Sequence, residues 1–168
     1  MNKNMTNPSI GIIGIGNPLR KDDGIGIQLL EILKKEKKHL PQTVSLIEGG
    51  TGGMNLLHLF SKFDVIVLLD AVDFQSSPGD TRFFSLDDIQ SQKKVSTVST
   101  HNADVFQIIQ FAQDIGECPK KIVVFGVQPA DVCFGEGLTD IIKEQMNTIV
   151  TRMKKQVLSF IQNTSSSK

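Results

Sequence analysis

Short unbroken apolar runs alternate along this chain with longer stretches in which apolar residues recur every three or four positions. The first run, residues 9–15, ends in glycine and asparagine and reads as a buried strand. Helical spacing follows from Asp23 to about Lys37, with Ile25, Leu29, Ile32 and Leu33 on one face, and Pro41 closes the unit. Residues 44–47 begin a second strand that ends at Glu48-Gly49-Gly50, and 54–63 return to helical spacing. The most β-branched run, 64–69, is apolar without alternation, which suits a strand covered on both faces; it stops abruptly at Asp70. After a Ser-Ser-Pro-Gly-Asp turn at 76–80, residues 81–86 alternate as an edge or antiparallel strand would. The polar stretch 90–99 predicts a mobile loop, followed by a helix from about Asn102 to Asp114 and a buried strand over 121–127. A last helix starts near Leu138 and Thr139, with Ile142, Met146, Ile149, Val150, Met153, Val157 and Ile161 on its apolar face.

Strand and helix thus alternate, which predicts an α/β three-layer sandwich: a twisted, mostly parallel sheet with helices on both faces. No internal repeat or linker interrupts the pattern, so residues 1–168 are expected to form one domain, with 1–8 and 163–168 as frayed ends. A chain of 168 residues buries about two-thirds of its unfolded surface, enough to fold without disulfide or structural metal. Lys and Arg together number 18, as do Asp and Glu, so no net field draws the chain to nucleic acid or an anionic membrane. The basic run 34–38 falls at a helix end, where cations meet the negative pole of the helix dipole. Cys118 and Cys133 lack CxxC spacing and a nearby histidine, which predicts reduced thiols in a cytoplasmic protein. The first nine residues carry no apolar core of a signal peptide, and no apolar run reaches the ~20 residues of a membrane helix.

Parallel sheets place ligands at the carboxyl ends of their strands, which narrows the search for chemistry. Residues 14–26, GIGNPLRKDDGIG, resemble a phosphate-binding loop only in their glycines. Asn17-Pro18-Leu19 breaks the fingerprint spacing, and Asp22-Asp23 would repel phosphate at the helix start. One of those carboxylates can cap backbone N–H groups, leaving the other free to face a cleft. Asp70, at the end of a buried strand, is desolvated and needs a partner or a metal; Asp73 in the same loop competes for its role. His39 and His58 fall on helix surfaces, whereas His101 stands at a loop–helix junction suited to metal binding or proton relay. The run Gly49, Gly50, Thr51, Gly52, Gly53 suggests close approach of a peptide backbone. Residues 128–131 and 135–139 read as turn and helix-cap chemistry. Asp23, Asp70 and His101 converge at one sheet edge by topology. Two carboxylates and an imidazole suit a borderline divalent ion and leave coordination positions open for substrate.

At GIGNPLRKDDGIG (14–26), EGGTGGM (48–54), LLDAVDF (68–74), STHNADV (99–105), FGVQPAD (125–131) and GLT (137–139), the chain resembles the hydrogenase maturation endopeptidases. The ordered set spans nearly the whole chain. The resemblance implies removal of a C-terminal extension from the large-subunit precursor of a nickel–iron hydrogenase after nickel insertion. It also implies metal contacts at Asp23, Asp70 and His101, which are expected to double as the catalytic set; separately, the glycine-rich run Gly49 to Gly53 is expected to bind substrate as extended backbone. The nickel is expected to arrive with the substrate, and the protein to be a cytoplasmic monomer without nucleic-acid or membrane partners. As in the family, no Ser or Cys nucleophile stands near the site. Two alternatives remain open at this point: a nickel-sensing chaperone or docking module that cuts nothing, and a peptidase of a different substrate.

Overall fold

The computed structural model describes residues 8–85, 88 and 100–166, and only the backbone of 100–104, 106, 165 and 166. The loop expected at 90–99 lies outside the described residues, as do 1–7 and 167–168 of the ends expected to fray. Five strands form one sheet: β1 (Ile10–Gly14), β2 (Val44–Glu48), β3 (Val65–Ala71), β4 (Thr81–Ser85) and β5 (Lys121–Val127). Their spatial order is β2-β1-β3-β5-β4. The first four in that order run parallel, and β4 closes one edge antiparallel to β5. Among the described residues the α-helices with stated bounds are α1 (Ile25–Lys35), α2 (Asn55–Phe60), α3 (Thr100–Asp114) and α4 (Asp140–Ser166). Helix α4 is continuous through 163–166, so that part of the predicted fraying segment is helical backbone. Among the described residues no helix is long and apolar enough to cross a membrane.

Period-two alternation divides the buried side chains into two layers. One face of the sheet carries Ile10, Ile12, Val67, Leu69, Phe125 and Val127 against Ile25, Leu29, Leu30 and Leu33 of α1 and Ile142, Ile149, Met153, Val157 and Ile161 of α4. The opposite face carries Ile13, Ile15, Ile66, Leu68 and Val124 against Leu56, Leu57 and Phe60 of α2 and Val105, Ile108, Ile109 and Ala112 of α3. Each fully buried Leu, Ile or Phe contributes on the order of 1.5–3 kcal/mol relative to exposure. The buried stripe of α1 is centred on Gly26, Leu29, Leu30 and Leu33, with Ile32 half-buried at its margin.

Two elements depart from the sequence pattern for identifiable reasons. Helix α2 stops at Phe60 rather than continuing to 63. The chain leaves the helix to lay Phe63 over Gly11 of β1, where an added Cβ would sit 2.9 Å from the Phe63 ring. Strand β3 continues two residues past its apolar run, because Asp70 and Ala71 still pair with Gly126 and Val127 of β5. Asp70 therefore belongs to the sheet itself. By alternation it shares the face of Ile66 and Leu68, the one covered by α2 and α3.

Candidate active site

The strand β1 runs into a tight sequence of turns whose glycines serve packing. A Cβ on Gly26, in the first turn of α1, would lie 2.1 Å from the Leu69 carbonyl oxygen and 2.2 Å from that of Ile15. Only glycine lets α1 begin directly on the ends of β1 and β3. Gly16 holds φ +137°, and a Cβ there would fall 1.8 Å from the carbonyl oxygen of Asp23. The glycines that resemble a phosphate loop thus bring the helix start against the strand that carries Asp70.

A short 3₁₀ turn, Lys21–Gly24, places both aspartates at that helix start, 1% exposed at Asp22 and 2% at Asp23. Their roles differ. The Asp22 carboxylate accepts four hydrogen bonds from the far loop: Ala130 N–H at 2.9 Å, Asp131 N–H at 3.0 Å, Thr139 N–H at 2.7 Å and the Thr139 hydroxyl at 2.9 Å. It is a structural anchor, fixing the segment between β5 and α4. Asp23 accepts the Asn17 N–H at 2.8 Å and sits close enough to Asp70 for its charge to act on that carboxyl.

Asp70 is 3% exposed, and its Oδ1 has no hydrogen-bond partner among the described residues. Burial pushes its carboxyl well above the usual range; the Asp23 charge adds to the rise, and a hydrogen bond from the Ala71 backbone opposes it. An unsatisfied buried carboxylate oxygen beside a second carboxylate costs free energy unless a proton, a cation or a donor occupies the gap. Hard oxygen donors of this kind fit a divalent ion.

The competitor Asp73 is excluded from the cleft by the same fold. It is exposed, and its Oδ1 accepts from the Gln75 N–H at 3.0 Å and from the Gln128 side-chain amide at 3.2 Å. Gln128, only 7% exposed, also accepts the N–H groups of Phe74 and Ser76 with its amide oxygen. It ties the loop after β3 to the end of β5. Sequence pattern assigned 128–131 to ordinary turn chemistry; the buried amide of Gln128 and the loop-anchoring role of Asp22 were legible only as residue types, because their partners lie 52–55 and 108–117 positions away.

His101 is the second residue of α3, inside its first turn rather than ahead of it. Its side chain lies outside the description. One turn later Val105 is buried, and a Cβ on Gly52 would lie 3.4 Å from it, so the start of α3 packs against the glycine loop at the carboxyl edge of the sheet. His39 and His58 are exposed. In the glycine loop, Gly50, Gly52 and Gly53 hold φ of +59°, +87° and +72°, which accounts for those glycines by turn geometry alone. Gly49 is buried, bonded through its N–H to the Gly14 carbonyl, and Gly16 N–H bonds the Gly50 carbonyl. Gly50 and Thr51 are exposed. Among the described residues no three His, Cys, Asp or Glu side chains group as a metal site. Both cysteines are free; burial raises the Cys118 thiol, and the Asp131 carboxylate raises that of Cys133, which disfavours the nucleophilic thiolate at either.

Buried carboxylates thus stand at the carboxyl edge of an α/β sheet, and comparison with known proteins names the class. A family model described as hydrogenase maturation protease matches residues 27–156. The hydrogenase expression/formation protein HoxM of Azotobacter vinelandii is 32% identical over 143 residues, covering 84% of this chain and 69% of its own. The hydrogenase 2 maturation protease of Escherichia coli is 28% identical over 132 residues, covering 79% and 80% respectively. The solved hydrogenase maturating endopeptidase HybD from E. coli superposes with a TM-score of 0.75 at 25% identity, covering 89% of this chain and 92% of that one. The chain belongs to the hydrogenase maturation protease family. It is a peptide hydrolase, as the sequence resemblance implied.

Proposed function

We propose that this protein removes the C-terminal extension from the large-subunit precursor of a nickel–iron hydrogenase after nickel has been inserted, and that Asp23, Asp70 and His101 read the nickel. The observation that carries this reading is the buried Oδ1 of Asp70, which has no hydrogen-bond partner among the described residues and lies beside the Asp23 charge. Nickel held by the precursor would be recognised by two carboxylates from this chain and by the His101 imidazole, and it would supply a Lewis acid next to the scissile peptide. The chain's own contribution is to fix that geometry. Asp23 is held by the Asn17 N–H and Asp70 by the sheet, and the backbone of His101 lies in the first turn of α3. A carboxylate of the pair serves as base toward the attacking water. The loop Gly49, Gly50, Thr51, Gly52, Gly53 takes the substrate as extended backbone along its exposed turn. The reading makes cleavage a checkpoint on metal loading by a monomeric, single-domain cytoplasmic enzyme. The balanced charge supports a protein substrate over nucleic acid or membrane.

The intact mass of purified precursor, with and without nickel, after incubation with the enzyme tests the proposal. Loss of a C-terminal peptide from the loaded precursor alone, and not with His101→Ala, is the expected result. Cleavage regardless of nickel would discard the metal-reading role.

A further inference from the structure

The loop after β1 and the loop after β5 leave strands on either side of β3 and are laced together beyond its end. Lys21 N–H bonds the Gly135 carbonyl at 2.8 Å, Gly135 N–H the Leu19 carbonyl at 2.9 Å, and Asp22 N–H the Asp131 carbonyl at 3.1 Å. The Arg20 guanidinium donates to the Val132 carbonyl at 3.0 Å, Lys21 pairs with Asp131, and the Asp22 carboxylate adds its four bonds. This rim carries two exposed apolar side chains, Phe134 at 84% and Leu19 at 48% exposure. The bonds that hold the rim, among the described residues, use backbone groups or the side chains of Asn17, Arg20, Lys21, Asp22, Asp131 and Thr139. None uses the ring of Phe134, and no aromatic pair or cation–ring contact among the described residues includes it.

From this we infer that Phe134, with Leu19 beside it, is the anchor that binds an apolar side chain of the protein substrate next to the scissile segment. The inference rests on the proposed peptidase reading and adds a specificity element to it. Continuity with the chemical edge supports that occupant. Leu19 N–H bonds the Asn17 side chain, and Asn17 N–H in turn holds Asp23. A large apolar side chain on a rigid, already ordered support loses little entropy on binding and is the usual form of an interface hot spot. Because Phe134 is outside the packed core, its removal leaves stability intact while weakening substrate binding.

The test is the rate of tail removal from nickel-loaded precursor over a range of precursor concentrations, followed by intact mass, for wild type, Phe134→Ser, Leu19→Ser and Ile115→Ser. Ile115, 45% exposed beyond the end of α3, is the control for exposed apolar surface elsewhere. Phe134→Ser is expected to raise KM about tenfold or more, with kcat within about twofold and an unchanged melting temperature. Leu19→Ser should follow in the same direction, and Ile115→Ser should match wild type. A KM for Phe134→Ser within twofold of wild type, with cleavage otherwise normal, overturns the anchor and leaves the peptidase reading standing. A wild type that sediments as a dimer and a Phe134→Ser variant that does not would assign the rim to a second copy and overturn it too. If wild type leaves loaded precursor uncut, the peptidase reading itself fails and the anchor falls with it.

Discussion

Adjacent aspartates with opposite duties give the sharpest stability prediction. Replacing Asp22 with alanine strands three backbone N–H groups and one hydroxyl, donated at 2.7–3.0 Å into a carboxylate that is 1% exposed. A buried donor left without a partner costs about 1–3 kcal/mol. Ala130 is exposed and Thr139 half-buried, so water reaches part of the set, and a total loss of about 3–5 kcal/mol follows. For a chain of this size that lowers the melting temperature by roughly 6–20 °C. Asp22→Asn can keep its oxygen toward the three donors on Oδ2, but it then turns an amide N–H toward Thr139 N–H, and it should lose about half as much. Asp23→Asn keeps an acceptor for Asn17 N–H and relieves repulsion with Asp70, so its stability should fall within about 1 kcal/mol of wild type. Urea titration followed by far-ultraviolet circular dichroism measures all three, with m expected to stay constant. Equal midpoints for Asp22→Ala and Asp23→Asn would refute the division of labour.

Further consequences are independent of that one. Gly26→Ala should destabilise by more than about 3 kcal/mol, seen as a lowered urea midpoint, because its Cβ meets two carbonyl oxygens near 2 Å in a packed backbone. The Asp70 carboxyl, raised in the folded state, contributes stability that is full below the unfolded carboxyl range and is lost as pH rises through its folded value. Melting temperatures of Asp70→Asn and wild type should therefore diverge in favour of the variant as pH rises above ~4; a constant offset would contradict the effect of burial on that carboxyl. Asp64 behaves oppositely: Lys120 and the Ser9 backbone and hydroxyl hold it down to about 2. Its contribution is present above ~4 and lost as pH falls toward 2, so the stability gap between wild type and Asp64→Asn should close over that interval.

Strand and helix order was legible because each buried strand is an unbroken apolar block and each helix shows a stripe. β1, β2, β4 and β5 fall within a residue or two of their runs. The pattern could not show that β3 runs on through Asp70, since a polar residue ends an apolar block whether or not the ladder continues. Nor could it show that α2 yields early to let Phe63 cover Gly11. At the site, the Asp22-Asp23 pair announced that one carboxylate would serve the backbone. Which one depends on donors more than 100 residues away, a long-range fact with no local signature. The broken spacing of the glycines in 14–26 argued against a phosphate loop but could not say what they do; the close contacts of Gly16 and Gly26 make them instruments of packing.

The central claim is that Asp23 and Asp70 perform the chemistry while neighbouring Asp22 and Asp73 hold loops. Its most direct test is the cleavage rate of nickel-loaded precursor, by intact mass, for folded Asp23→Asn, Asp70→Asn and Asp73→Asn side by side. The account predicts loss of at least about a hundredfold in the first two and a rate near wild type in the third. Wild-type cleavage by Asp70→Asn, or a collapse confined to Asp73→Asn, would contradict it.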